Sequence, residues 1–193
     1  VKVLIQNGAD VNAVTNYKKT PLFCALTKGY ADIAKALIQK GADVNAASTF
    51  HSPFKRTVLH YAVSKGYIDV AKLLIQNGAN VNAVQEDKSV PLHVAVEKGH
   101  ADVAKVLLQN GADVTTVSKD NRSSLCIAAQ YGKVACTLQL LYFGAEIDKK
   151  SLEDDQTELL RPINDRLKSL RAGNGMKTTL MSVKERRFMW NLA

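Results

Sequence analysis

No stretch of about 18 apolar residues occurs in the 193-residue sequence, so no membrane-spanning helix is expected. The chain does not begin with Met, and no basic region followed by an apolar core opens it, so no signal peptide is read. Val1-Lys2-Val3-Leu4-Ile5-Gln6 reads instead as the middle of a helix, and the chain is expected to be a segment of something longer. Cysteine is scarce. Cys24, Cys126 and Cys136 make an odd set without metal-type spacing. Cys24 and Cys126 fall in apolar helical segments, where a free thiol packs as a small hydrophobe, a usage suited to a reducing compartment.

Signatures of chemistry are also missing. No glycine-rich phosphate loop follows a strand, and neither a nucleophile elbow nor a kinase signature is present. The four histidines (His51, His60, His93, His100) show no zinc-ligand spacing. No catalytic residue, metal site or cofactor is therefore expected, and the chain is read as a non-enzyme. The net charge is +8, yet no block of like charge marks a nucleic-acid arm. Residues 1–148 and 149–193 each carry +4, and this even spread argues against nucleic acid while leaning towards an acidic partner.

What the chain does have is periodicity. Gly8-Ala9-Asp10-Val11-Asn12-Ala13 returns as Gly41-Ala42-Asp43-Val44-Asn45-Ala46 and Gly78-Ala79-Asn80-Val81-Asn82-Ala83. It returns, weakened, at Gly111-Ala112-Asp113-Val114-Thr115-Thr116 and Gly144-Ala145-Glu146-Ile147-Asp148. The glycines are spaced by 33, 37, 33 and 33 residues. A second motif keeps step: Thr20-Pro21-Leu22-Phe23-Cys24-Ala25, Thr57-Val58-Leu59-His60-Tyr61-Ala62, Val90-Pro91-Leu92-His93-Val94-Ala95 and Ser123-Ser124-Leu125-Cys126-Ile127-Ala128.

Each unit reads as two helices. Thr20 or Thr57 caps the first, a Pro in the next position suits the first turn, and Gly29, Gly66, Gly99 or Gly132 ends it. In Ala31-Asp32-Ile33-Ala34-Lys35-Ala36-Leu37-Ile38-Gln39-Lys40 the apolar residues 33, 34, 37 and 38 form one stripe at helical spacing. Asp32, Asp69 and Asp102 recur where a carboxylate favours the helix dipole, which makes them structural repeats and not an acid/base pair. One helix pair cannot bury its stripe, so neighbours must cover each other.

Period and motifs together resemble the ankyrin repeat, over residues 1 to about 148. The resemblance implies an all-α solenoid of helix-turn-helix units with hairpin-like fingers and a helical C-terminal cap. The expected layout is a leading half-repeat at 1–13, four units, and a four-residue finger insertion within 47–56. Residues 149–172 are read as a degenerate capping repeat, and 173–193 as a linker with the start of a further helix or domain. The family's finger-tip glycine is replaced by Lys18, Lys55, Lys88 and Asn121. Lysine tolerates the left-handed conformation poorly, so the lysine-tipped fingers are expected to be less regular than the consensus.

The resemblance further implies that the motif histidines, His60 and His93, tie loops together. Asn12, Asn45 and Asn82 match a position hydroxylated in some family members, with loop hydrogen bonding as their plainer role. Partners are expected on the concave face of fingers and first helices, through Tyr17, Lys19, Lys28, Phe50, Phe54, Arg56, Lys65, Asp87, Glu97, Arg122 and Tyr131. Clustering of Tyr17, Phe54 and Arg56 points to an anchor in the first two fingers. The expected function is a protein-interaction module, monomeric and cytoplasmic, with no nucleic-acid partner. The alternative is the substrate-recruiting region of an enzyme whose catalytic domain lies outside this chain. The near-identical repeats and the tail Glu185-Arg186-Arg187-Phe188-Met189-Trp190-Asn191-Leu192-Ala193 are similar to ankyrin-containing secreted effectors of intracellular bacteria of the Legionella kind. That likeness implies a eukaryotic host protein as partner and secretion into the host cell; a eukaryotic adaptor is the competing reading.

Overall fold

A computed structural model describes residues 3, 6–16, 19–48 and 56–146. Eight α-helices lie among them, as four pairs: α1 (Pro21–Lys28) with α2 (Ala31–Gln39), α3 (Val58–Ser64) with α4 (Ile68–Gln76), α5 (Pro91–Lys98) with α6 (Ala101–Gln109), and α7 (Ser124–Gln130) with α8 (Val134–Tyr142). The architecture is thus an all-α repeat solenoid, as the period requires. Its described β-structure is a two-residue antiparallel pair, β1 (Ala47–Ser48) with β2 (Arg56–Thr57), and a single bridge from Val117 to Ser123.

Local chemistry sets each boundary. Thr20 Oγ1 accepts from the Phe23 amide at 3.2 Å, and Ser123 Oγ from the Cys126 amide at 3.2 Å, so each satisfies an orphan donor of a first turn. In α3 and α5 the third helical residue is histidine and it works in the other direction. His60 Nδ1 accepts from the Thr57 amide at 3.3 Å, and His93 Nδ1 from the Val90 amide at 3.2 Å. At the far end of every first helix the chain turns left-handed at Gly29, Gly66, Gly99 and Gly132. This lets the next amide reach back to the motif alanine: Tyr30 to Ala25, Tyr67 to Ala62, His100 to Ala95 and Lys133 to Ala128, at 2.8–3.0 Å.

Stacking buries two leucine ladders. Leu22, Leu59, Leu92 and Leu125 run through the first helices, and Leu37, Leu74, Leu107 and Leu140 through the second, none more than 1% exposed. First helices pack on first helices and second on second, rung by rung. The loops are laced in the same rhythm. Asn12 donates to Gly41 O at 3.2 Å and accepts from the Asp43 amide at 2.7 Å. Asn45 does the same to Gly78 and Asn80 (3.0 and 2.9 Å), and Asn82 to Gly111 and Asp113 (3.0 and 3.0 Å). Loop hydrogen bonding is what these asparagines do here. At the fourth unit Thr115 turns onto Asp113 in its own loop (2.7 Å) and leaves the ladder.

The third finger departs from expectation. Lys88 adopts φ 58°, matching Asn121 at φ 57° in the fourth, so both tips are left-handed. Their stems close alike, through Gln85 N–H to Ser89 O (2.9 Å) and Ser118 N–H to Arg122 O (3.0 Å). The lysine tip is therefore as regular as the asparagine tip, because closing the stem outweighs the conformational cost at one residue. Lys18 and Lys55 lie outside the described residues. So do the expected capping repeat at 149–172 and the segment 173–193.

Candidate functional site: the face between fingers and first helices

Four of the residues expected to bind a partner come together in one groove. Its walls are the third and fourth fingers and the outward sides of α5 and α7, and it encloses about 200 Å³. Asp87 enters from the third finger, Glu97 from the end of α5, Arg122 from the fourth finger and Tyr131 from the cap of α7. The floor is apolar, formed by Val94 and Ile127.

Hydrogen bonds hold these walls. The Lys119 amide donates to Asp87 O at 2.8 Å, locking the two finger tips together. Asp87 Oδ1 accepts from the Ser89 amide at 2.9 Å, which fixes its carboxylate at the rim. The Arg122 guanidinium donates to Gln130 Oε1 at 2.7 Å and Asp120 Oδ2 at 3.1 Å, so it is a strut between finger and helix. Glu97 pairs with Lys98 at 3.0 Å, an exposed contact of little strength. Tyr131 is 51% exposed and offers ring and hydroxyl to the groove mouth.

Beneath the groove His93 is buried. With Nδ1 accepting from the Val90 amide, Nε2 must carry the proton, and it reaches Thr116 O at 3.1 Å. One histidine thus caps its helix and ties the next finger, as the resemblance implied. Burial lowers its pKa, against the opposing pull of Thr116 O and the Asp87 charge. His60 is buried further, and its pKa is pushed down from 6.5 to about 4, first by burial and then by the Arg56 charge. Its Nε2 makes no hydrogen bond within strict geometric limits among the described residues, yet the Ser89 carbonyl of the third finger is near enough to oppose the lowering, a looser counterpart of the tie that His93 makes.

The remaining expected residues are dispersed. Arg56 is half-buried, and its Nε donates to Gln85 Oε1 at 3.0 Å, bracing the second finger against the third. Lys19 is half-buried beside the first finger, while Lys28 and Lys65 are exposed at the ends of α1 and α3. Tyr17, Phe50 and Phe54 lie outside the described residues, so of the N-terminal anchor only Arg56 is described.

Three participants were not foreseen from sequence. Val94 and Ile127 look like ordinary core positions by helical periodicity. Gln85 is 4% exposed, and its signal was the alternation of the finger stem: Ala83 and Gln85 inward, Val84 and Glu86 outward. His100 reaches back one unit to Ser64 O at 3.3 Å. Phe23, standing where His60 and His93 stand in later units, packs edge-on against Tyr61 with centroids 4.8 Å apart.

Among the described residues no cluster of three or more His, Cys, Asp or Glu side chains could hold a metal ion. No described helix is long and apolar enough to cross a membrane. In a scan of family models, one described as ankyrin repeats (three copies) matches residues 1–48 and 59–151, and a second, ankyrin repeats (many copies), matches 27–75. A search of curated proteins found no match.

Proposed function

This chain belongs to the ankyrin repeat family, and we infer that it is a non-catalytic scaffold that captures a protein partner on its concave face. Ankyrin repeats are protein-interaction modules, and this one has the features such a role requires. The observation that carries the reading is the groove between the third and fourth fingers. It is open, apolar at the floor, polar at the rim, and braced by the Lys119–Asp87 backbone bond. A pre-formed rim with an aromatic and an arginine at its edge suits a partner side chain inserted with little reorganisation.

The wider proposal is a monomeric, cytoplasmic module within a larger adaptor or secreted effector, the effector version resting on the repeats and tail. A recruiting region for a catalytic domain elsewhere in a longer protein fits the same groove. The test is capture from a eukaryotic lysate by the full chain, compared with two triple variants. Glu97→Ala/Arg122→Ala/Tyr131→Ala is expected to lose the captured protein. Tyr17→Ala/Phe54→Ala/Arg56→Ala probes the anchor in the first two fingers. If both variants retain the same protein at undiminished yield, the concave face is not the binding surface.

A further inference from the structure

The groove between the third and fourth fingers runs against the charge of the chain that carries it. The sequence has a net charge of +8. The groove is lined by three carboxylates, Asp87, Glu97 and Asp120, against two cations, Lys119 and Arg122. His93 adds no charge there at neutral pH, because burial lowers its pKa.

These charges are not equally free. The Arg122 guanidinium is held by Asp120 at 3.1 Å and by Gln130 at 2.7 Å, so Arg122 and Asp120 cancel within the fourth finger. Asp87 and Glu97 then face Lys119 alone. Asp87 is half-buried and makes no ion pair among the described residues; its carboxylate accepts one hydrogen bond, from the Ser89 amide at 2.9 Å. Its charge also acts on His60 and His93, which places it near the starts of α3 and α5. Glu97 is tied to Lys98, its neighbour in sequence, through an exposed contact that a competitor displaces readily.

A partner that covers this groove strips water from Asp87. A carboxylate buried without a counter-charge is costly, and a cation supplied by the partner removes that cost. The floor of Val94 and Ile127 asks for an apolar stem beneath the charge. The enclosed space, about 200 Å³, is smaller than the roughly 300–1,000 Å³ of small-molecule sites and suits one long side chain. Arginine fits better than lysine. Its guanidinium is weakly hydrated and planar, with donors enough to meet carboxylates on two separate walls while a face lies against the Tyr131 ring.

We propose that this groove receives an arginine side chain of the protein partner, its stem on Val94 and Ile127 and its guanidinium between Asp87 and Glu97. The proposal rests on the protein-scaffold reading above and specifies the partner's chemistry. Lys119 opposes the contact, so removing its charge strengthens the site.

The experiment titrates the isotope-labelled full chain at low ionic strength with the capped peptide acetyl-Gly-Ser-Arg-Ser-Gly-amide, following backbone amide shifts. Counterpart peptides carry lysine, citrulline or glutamate in place of the arginine; citrulline keeps its shape and lacks its charge. The arginine peptide is expected to give saturable shifts centred on the third and fourth fingers and to bind at least about fivefold tighter than the citrulline peptide, with lysine between them. Asp87→Asn, which keeps an acceptor for the Ser89 amide, is expected to weaken arginine binding about threefold, as is Glu97→Gln. Lys119→Gln is expected to strengthen it about twofold, and Glu86→Gln, on the outward side of the same finger, to leave it unchanged. Citrulline or lysine binding as tightly as arginine, no saturable shifts in the groove, or an equal loss in Glu86→Gln overturns the proposal. If it falls while the Glu97/Arg122/Tyr131 variant still loses its captured protein, the scaffold reading stands; if that variant also captures normally, both fall.

Discussion

At the residue scale, the buried histidines couple stability to pH. His60 titrates near 4 in the folded chain and near 6.5 when unfolded, so the unfolded chain binds more protons throughout that window. Its contribution is whole above pH 6.5 and is lost as pH falls towards 4, on the order of 3 kcal/mol in all. His93, also lowered by burial, acts in the same direction. Urea melts between pH 7 and 4.5 are expected to show a steep loss of stability that His60→Gln flattens. An equal slope in that variant would place the dependence elsewhere. Lys88 makes the opposite kind of statement, since it holds a left-handed φ that glycine adopts freely. Lys88→Gly is expected to raise unfolding free energy by about 0.5–1 kcal/mol, the relieved strain exceeding the entropy that glycine adds to the unfolded chain. A lower urea midpoint would show that the lysine side chain contributes more than its backbone costs.

At the element scale, the loops are held by asparagine and the helices by leucine, and the two respond differently to change. Asn45→Ala removes two hydrogen bonds that cross between units, at an expected cost of about 1–2 kcal/mol. The converse exists at the fourth unit, where Thr115 leaves the ladder. Thr115→Asn would face Gly144 O and the Glu146 amide as Asn82 faces Gly111 and Asp113, and is expected to gain about 0.5–1 kcal/mol. Thermal melts of the two variants check both signs. The asparagine positions were legible because the motif repeats. Their partners were not, because each bond joins residues about thirty positions apart and depends on how loops stack.

At the scale of the whole molecule, a solenoid couples neighbours and little else. Leu59 and Leu92 are adjacent rungs of the first-helix ladder, whereas Leu22 and Leu125 are three rungs apart. Each change to alanine is expected to cost about 2–5 kcal/mol. In double-mutant cycles Leu59/Leu92 is expected to couple by 0.5 kcal/mol or more, and Leu22/Leu125 to add within about 0.5 kcal/mol. Strong apparent coupling of the distant pair would mean that the stack unfolds in parts and not as one two-state block under those conditions.

The periodic residues alone determined the fold class, the helix pairs and their ends, because capping, glycine turns and apolar stripes are local chemistry read within a few residues. The asparagine and leucine ladders follow from the same spacing once units are known to stack. Only the tertiary structure decided which polar groups are spent and which are offered. Arg56 and Arg122 look alike in sequence as exposed finger cations, yet one braces Gln85 and the other Gln130 and Asp120. Glu97, Asp87 and Tyr131 sit on three separate elements, and only the closing of one finger on the next, through Lys119 and Asp87, makes them the rim of one groove. Local propensity sets what each unit is; the contacts between units, remote in sequence and weak one by one, set what the assembled face can hold.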